Sequence, residues 1–270
     1  MSEIDPMDQG QGAQPWSIDR VGVVGMGLIG GSIALDLSQQ GVEVQGLVHR
    51  EVTAQRARSR GLASLVSTDP SCLQDCDLVI LALPLESLLT PAESLLKAIP
   101  EQAVVTDVGS VKAEVLAVWR DLHPRFVGSH PMAGTAQAGV DAGLTGLFCG
   151  RPWVSTPESM TDPSALEVIH QLAERLGSHW LTADAARHDQ AVALISHLPV
   201  IVSAALLRSV GEERDPAVLD LARTLASSGF ADTSRVGGGN PALGTAMASH
   251  NTQALLRSLA LYRWSLEQLE

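Results

Sequence analysis

Cysteine is scarce in this chain: Cys72, Cys76 and Cys149 are the three among 270 residues. An odd count without framework spacing excludes a disulfide-stapled secreted scaffold, and Cys72 with Cys76 has no second ligand pair to hold zinc. Long apolar runs are missing too. The longest, Leu78 to Leu85, contains Pro84 and falls well short of the roughly 18 residues that span a membrane. Positive charge is in short supply, with 18 Lys and Arg against 30 Asp and Glu and a formal net charge of −12. That removes the basic footprint a nucleic-acid backbone requires, so an anionic small ligand must be met by local arginines. No His-Glu-x-x-His pattern is present, and no metal is expected. Met1 to Ser17 carries Glu3, Asp5 and Asp8 but no apolar core, so it reads as a disordered tail and not as a targeting segment. A soluble, cytoplasmic protein is expected, with no nucleic acid and no membrane among its partners.

What the chain does have is a 45% hydrophobic composition, ample for real cores, and a length that suits two moderate domains. The stretch Arg20 to Ser32 organises the first. A β-branched run feeds the Gly-x-Gly-x-x-Gly turn Gly25-Met26-Gly27-Leu28-Ile29-Gly30, and an Ala/Leu-rich segment, Ser32 to Gln40, continues at helical spacing. Gly25 permits the tight turn, Gly27 lets backbone approach a pyrophosphate, and Gly30 lets helix pack on strand. The helix's first free N–H groups, around Leu28 and Ile29, then face the phosphates. A dinucleotide is the expected ligand; a ligand-free glycine turn is the plain alternative.

Alternation of strand-like and helix-like segments follows. Val42 to Val48, the nearly all-apolar Asp77 to Pro84, Ala103 to Asp107 and Phe126 to Ser129 read as strands, and Leu85 to Ala98 reads as a helix. Such alternation predicts an α/β domain with a Rossmann-type doubly wound parallel sheet, whose ligands bind beyond the carboxyl ends of the strands. That rule nominates the turns Gly25 to Gly30, Leu83-Pro84-Leu85 and Asp107 to Ser110, with Leu83, Pro84, Asp107 and Gly109 on the cofactor side. Where NAD-binding relatives of the fold carry an acidic residue for the ribose, this chain has His49-Arg50. Arg50 suits a 2′-phosphate, so NADP is preferred over NAD, unless Arg50 is merely solvated and Glu51 serves the ribose. Pro152 to Thr156 and Ser178 to Ala183, flanking a helix from Pro163 to Leu176, are expected to complete a domain spanning 18–183. From 184 to 270 no strand-like run remains, and three long helices are expected at roughly Asp184 to Ser209, Pro216 to Ser228 and Pro241 to Leu269. Their apolar faces are too broad to bury among themselves, which predicts an all-helical dimerisation domain and a homodimer.

Four residues suit chemistry. Pro131 holds His130 in extended geometry at the strand edge, where a neutral imidazole can accept an alcohol proton as hydride leaves the same carbon. Ser110 faces it across the edge, as an N-cap, a substrate contact or both. His188 and His197, nine residues apart on one helix, fall on opposite faces, and Pro199 should loosen the helix beside His197 and expose it, unless His197 is simply packed at a kink. Arg235 is the only cation in the polar connection Phe230 to Pro241; it can grip a carboxylate with two hydrogen bonds while the glycines let the loop close, or else it is a surface arginine. Met132 to Gly139, including Gly134 and Thr135, is a small-residue loop suited to lie over a ligand.

Taken together, Gly25 to Ser32, Thr106 to Lys112, Gly128 to Gly134, His188 to Ala191 with Ile195 to Pro199, and Asp232 to Arg235 resemble the prephenate/arogenate dehydrogenase family of tyrosine biosynthesis, in that family's order. Gly238 to Gly244 looks like the cyanobacterial arogenate enzymes, whereas many relatives carry a tryptophan near Leu243-Gly244. The resemblance implies oxidative decarboxylation of arogenate to tyrosine, with His130 as base, Ser110 on the hydroxyl, and His197, Arg235, Gly134 and Thr135 toward the substrate. Prephenate with NAD or NADP is the alternative substrate reading. A 3-hydroxyacid or imine reductase shares the domain order, yet the catalytic lysine such enzymes place in the helical domain has no counterpart in Asp184 to Glu270. A non-enzymatic NADP-sensing dimer, with His130 idle, is the reading of another class.

Overall fold

The computed structural model describes residues 16–135 and 137–270. Most of the tail expected over 1–17 and one residue of the Met132 to Gly139 loop, Ala136, lie outside the described residues. Six parallel strands form the main sheet: β1 (Arg20–Val24), β2 (Glu43–Leu47), β3 (Leu65–Ser67), β4 (Leu78–Leu81), β5 (Val104–Asp107) and β6 (Phe126–Val127), in the order β3-β2-β1-β4-β5-β6. Strand order therefore reverses between β1 and β4, the crevice where open α/β sheets take their ligands. Side chains alternate between two cores. Val23, Leu78 and Ile80 enter the cluster with Ile33 and Leu37, while Val24, Val79, Leu81 and Val105 enter the one with Leu88 and Trp119. Burial on both faces is what makes β4 a continuous apolar run.

The fingerprint glycines act as their spacing predicts. Gly25 sits at φ +95°, and a Cβ there would lie 2.2 Å from the Ala82 carbonyl at the end of β4. A Cβ on Gly30, in α1 (Leu28–Gln39), would lie 1.9 Å from the Gly25 carbonyl, so helix and turn touch through backbone alone. Nothing lies within 4 Å of a Cβ on Gly27, which precedes α1 and faces open space. α2 (Glu51–Ser59) follows β2, with Arg50 as its N-cap.

Several expectations need correction. The helix expected over Leu85 to Ala98 is two, α3 (Leu85–Leu89) and α4 (Glu93–Ala98), because Pro91 forces Thr90 out of helical geometry. The strand expected to run to Ser129 stops at Val127. Ser129 gives its N–H to Asp107 Oδ1 at 3.2 Å and its hydroxyl to the Asp107 carbonyl at 2.9 Å, and the chain starts a new direction as β7 (Ser129–Pro131). β7 pairs antiparallel with β8 (Pro152–Ser155), which pairs parallel with β9 (His179–Thr182). The last two strands thus belong to a separate three-stranded sheet and do not extend the parallel one. α5 (Ala113–Trp119) connects β5 to β6, and α6 (Pro163–Arg175) connects β8 to β9.

The helical region also differs from three long helices. α7 (Ala185–Val192) widens into a π turn (Ala193–His197), where Leu198 N–H bonds the Ala193 carbonyl, and continues as α8 (Leu198–Gly211). The wider turn answers the N–H that Pro199 lacks. α9 (Pro216–Leu225), α10 (Ser228–Ser234), a 3₁₀ turn (Arg235–Gly238), α11 (Pro241–His250) and α12 (Thr252–Glu267) complete the chain. The connection expected as a closing loop is therefore mostly helical, and Gly237 is clamped on α8, its N–H bonded to Ser203 Oγ at 2.8 Å. The continuous helix Ala185–Gly211 is long and apolar enough to cross a membrane by length and composition, contrary to the expectation that no such run exists. Its first half is nevertheless hydrogen-bonded into the nucleotide-binding half of the molecule through His188 and Asp189.

The glycine geometry predicts that Gly30→Ala lowers stability by roughly 2 kcal/mol or more. Gly27→Ala should leave the thermal unfolding midpoint unchanged. Thermal denaturation followed by circular dichroism distinguishes the two.

Candidate active site

The carboxyl ends of β1, β4 and β5 lie side by side, which brings together the turns at Gly25, Leu83-Pro84 and Asp107-Gly109, and the end of β2 adds His49 and Arg50, both exposed. The half-buried backbone of Leu28 and Ile29 opens α1 toward this edge. The open face of Gly27 is a cradle for a phosphate group, and the free N–H groups of the α1 terminus suit its charge. Asp107, by contrast, is fully buried. Its carboxylate binds the Lys112 ammonium, accepts from Gly109 N–H at 2.8 Å and meets Ser129 N–H, so its side chain organises the edge and has no oxygen turned outward. Lys112 Nζ also donates to the Ser129 carbonyl at 2.8 Å.

Three residues beyond the end of β6, His130 is carried by the second sheet, in register with Val154. Its ring is held from one side only: Nδ1 lies 3.0 Å from His188 Nε2, and His188 Nδ1 lies 2.8 Å from Asp189 Oδ1. Asp189 in turn accepts from the backbone N–H groups of Lys112 at 2.8 Å and Ala113 at 2.9 Å, donors at the start of α5 that have no acceptor within the helix. A carboxylate only accepts, so His188 donates through Nδ1. With His188 neutral, its Nε2 accepts from His130 Nδ1–H, and His130 Nε2 is left as a bare lone pair. Burial first, then the neighbouring His188, Lys112 and His197, hold the His130 imidazole well below its ordinary pKa, so it is neutral at physiological pH. The arrangement has the chemistry a general base needs: a bare imidazole nitrogen backed by a second imidazole and a carboxylate.

Ser110 does not cap α5, as one of its two expected roles required. Lys112 is the N-cap residue, Asp189 supplies the cap from another element, and the Ser110 hydroxyl has no hydrogen-bond partner among the described residues. The exposed position expected for His197 is also corrected: the residue is 1% exposed. The π turn changes the angular count along the helix, so His188 and His197 both turn inward where an unbroken α-helix would set them on opposite faces. His197 Nδ1 lies 3.2 Å from Asn251 Nδ2, and Nε2 is buried with no partner. Arg235 is exposed on the 3₁₀ turn, and Gly134 and Thr135 are exposed in the loop after β7. Among the described residues no three His, Cys, Asp or Glu side chains are grouped to hold a metal ion. Sequence reasoning missed Lys112, His188, Asp189 and Asn251 as site residues. His188-Asp189 was visible as a motif, but its partner at the start of α5 is 76 residues away, and Asn251 carries no local signal.

The comparisons with known proteins agree with this geometry. Residues 33–182 match the family model for the prephenate dehydrogenase nucleotide-binding domain, and residues 184–270 match its dimerization domain. The chain belongs to the prephenate dehydrogenase family. An arogenate dehydrogenase structure from Synechocystis is 46% identical, with TM-score 0.79 over 93% of this chain and 90% of that one. The Aquifex aeolicus prephenate dehydrogenase, in complex with hydroxyphenyl propionate and NAD+, is 28% identical with TM-score 0.87 over 95% of this chain and 91% of that one. Bacillus subtilis prephenate dehydrogenase is 31% identical over 245 residues, 88% of this chain; the match spans 66% of that longer protein. The chain is thus a dehydrogenase of the prephenate/arogenate type, with a Rossmann-like sheet and a helical C-terminal domain.

Three histidines, the buried His123 and His197 and the half-buried His130, have pKa values lowered chiefly by loss of solvent around the ring. Below about pH 6.5 the unfolded chain binds protons that the native state refuses, so stability should fall as pH drops through that range. Urea titrations at pH 7.5, 6.5 and 5.5 should show a declining midpoint.

Proposed function

We propose that the chain oxidatively decarboxylates arogenate to tyrosine with NADP as hydride acceptor. The observation that carries the reading is a neutral His130, oriented by His188 and Asp189, one residue past the Ser129 contact with Asp107 at the carboxyl end of β5. His130 Nε2 takes the proton of the ring hydroxyl, and the charge it gains is stabilised through His188 by Asp189. Ser110 hydrogen-bonds the same oxygen. Arg235 and His197 answer the substrate's carboxylate and other polar groups, with Gly134 and Thr135 in the loop beyond β7. When bound, the nicotinamide accepts the hydride from the hydroxyl-bearing carbon while the ring carboxylate leaves as carbon dioxide and the ring becomes aromatic. Placement of substrate and base at one edge supplies much of the rate, through proximity and prearranged charge.

Arogenate is favoured by the 46% identity to the Synechocystis arogenate dehydrogenase and by the segment Gly238 to Gly244. NADP is favoured because Arg50 stands exposed at the end of β2 without an ion-pair partner among the described residues, while Glu51 is bound by Arg58 at 2.6 Å. Leu83, Pro84 and Gly109 border the same cofactor crevice. Prephenate with NAD is the second reading, favoured by the Aquifex enzyme with NAD+. A homodimer through the helical domain is supported by the dimerization-domain match and by exposed Val218, Leu221 and Leu225 along one stripe of α9, a helix with no buried residue.

Purified protein offered arogenate or prephenate, each with NAD or NADP and followed at the nicotinamide absorbance band, should turn over fastest with arogenate and NADP. His130→Asn should lower kcat by roughly 100-fold or more and leave cofactor affinity near wild type. Arg50→Ala should raise the KM for NADP and leave that for NAD unchanged. Equal effects on both cofactors would remove Arg50 from the reading.

A further inference from the structure

Asn251 sits buried at the break between α11 and α12, where its φ of −131° and ψ of 32° interrupt the helix. Its side-chain nitrogen Nδ2 lies 2.7 Å from the Asp189 backbone carbonyl and 3.2 Å from His197 Nδ1. A carbonyl oxygen can only accept, so the amide cannot be flipped: the NH2 end faces both neighbours. One hydrogen goes to Asp189. The other goes to His197, whose Nδ1 must then be the acceptor. A neutral imidazole that accepts at Nδ1 carries its proton at Nε2, and that nitrogen is buried without a partner among the described residues. A buried donor left unanswered is expensive, and such groups persist where a ligand replaces the missing partner.

We infer that Asn251 is a positioning residue that fixes His197 as an Nε2–H donor, and that this donor answers a carboxylate or carbonyl oxygen of the substrate and not its ammonium group. The inference rests on the reading that His197 contacts substrate. It deepens that reading by giving the contact a direction, since a bare Nε2 would repel the same oxygen. The π turn that holds His197 packs against α7, α8, α11 and α12. Titratable groups near it are Asp189, which favours a charged His197, and His188, which disfavours one, while His197 itself disfavours a charged His130. His250 on α11 is turned instead to Glu114, at 2.7 Å. Burial outweighs the Asp189 carboxylate and keeps His197 below its ordinary pKa, so the neutral form is the one to be steered.

Long-range proton–nitrogen spectra of the full-length protein with 15N-labelled histidine, without ligand near pH 7.5, read the tautomer directly. The expected result is His197 with Nδ1 bare and Nε2 protonated, assigned by loss of the signal in His197→Asn; a proton on Nδ1 overturns the inference. Asn251→Asp turns the donor into an acceptor and should move the proton to Nδ1. Substrate KM should then rise roughly tenfold at alkaline pH and recover as His197 protonates, with kcat little changed. A KM profile parallel to wild type at all pH values would mark a merely structural role and overturn the inference. If Asn251→Asp does not fold, Asn251→Ala serves: it should lower the Nε2 proton occupancy and raise KM roughly tenfold. An unchanged tautomer there overturns the inference. Wild-type protein inactive on both arogenate and prephenate would instead overturn the dehydrogenase reading, while the tautomer spectrum stands on its own.

Discussion

The Asp189 carboxylate holds three groups where the two halves of the molecule meet. Asp189, on the first helix of the helical domain, accepts from the Lys112 and Ala113 amides that open α5 and from His188 Nδ1. Helix N-termini attract negative charge because their first N–H groups have no partner within the helix. Here that general need is met from another domain, and the group that meets it also orients the base. Removing the carboxylate would leave α5 uncapped, let the His188 ring choose the other tautomer, and free the side on which His130 is held.

Beneath this contact lies the buried pair of Lys112 and Asp107, fully out of solvent. Burial pulls the lysine's pKa down, and the Asp107 charge opposes that shift. Such a pair adds little net stability over an apolar pair, but losing one partner strands a charge. Its oxygens and protons also reach Gly109 N–H, Ser129 N–H and the Ser129 carbonyl, and so fix the turn after β5 against the start of β7. The main sheet and the small sheet are joined at this point, and His130 is the next residue along. Position of the base therefore follows from an ion pair that does not touch it.

The glycine turn and the π turn are stiff for different reasons. Gly25 and Gly30 let β1, β4 and α1 meet through backbone, leaving no side chain to rearrange, whereas Gly27 keeps its face clear. At the π turn the stiffness is polar: Asn251 ties the α11–α12 break to Asp189 and to His197. π turns tend to mark functional sites because the extra residue re-aims a side chain without ending the helix. Pro199 gives this one a local cause, and His197 is the side chain re-aimed.

The sequence by itself determined the parallel sheet, the glycine turn, the helical second domain and the candidacy of Ser110, His130, His197 and Arg235. Each of these is written in local pattern: period-two and period-3.6 hydrophobicity, glycines at fixed spacing, a histidine before a proline. The split of Leu85 to Ala98 at Pro91 was also legible in principle, since a proline restricts its predecessor wherever it falls. Only the tertiary structure decided that Asp189 caps α5, that His188 stands behind His130, that β7 leaves the main sheet and that His197 is buried. Those outcomes depend on hydrogen-bond partners 22 to 77 residues apart, whose meeting is set by packing and has no local period to betray it.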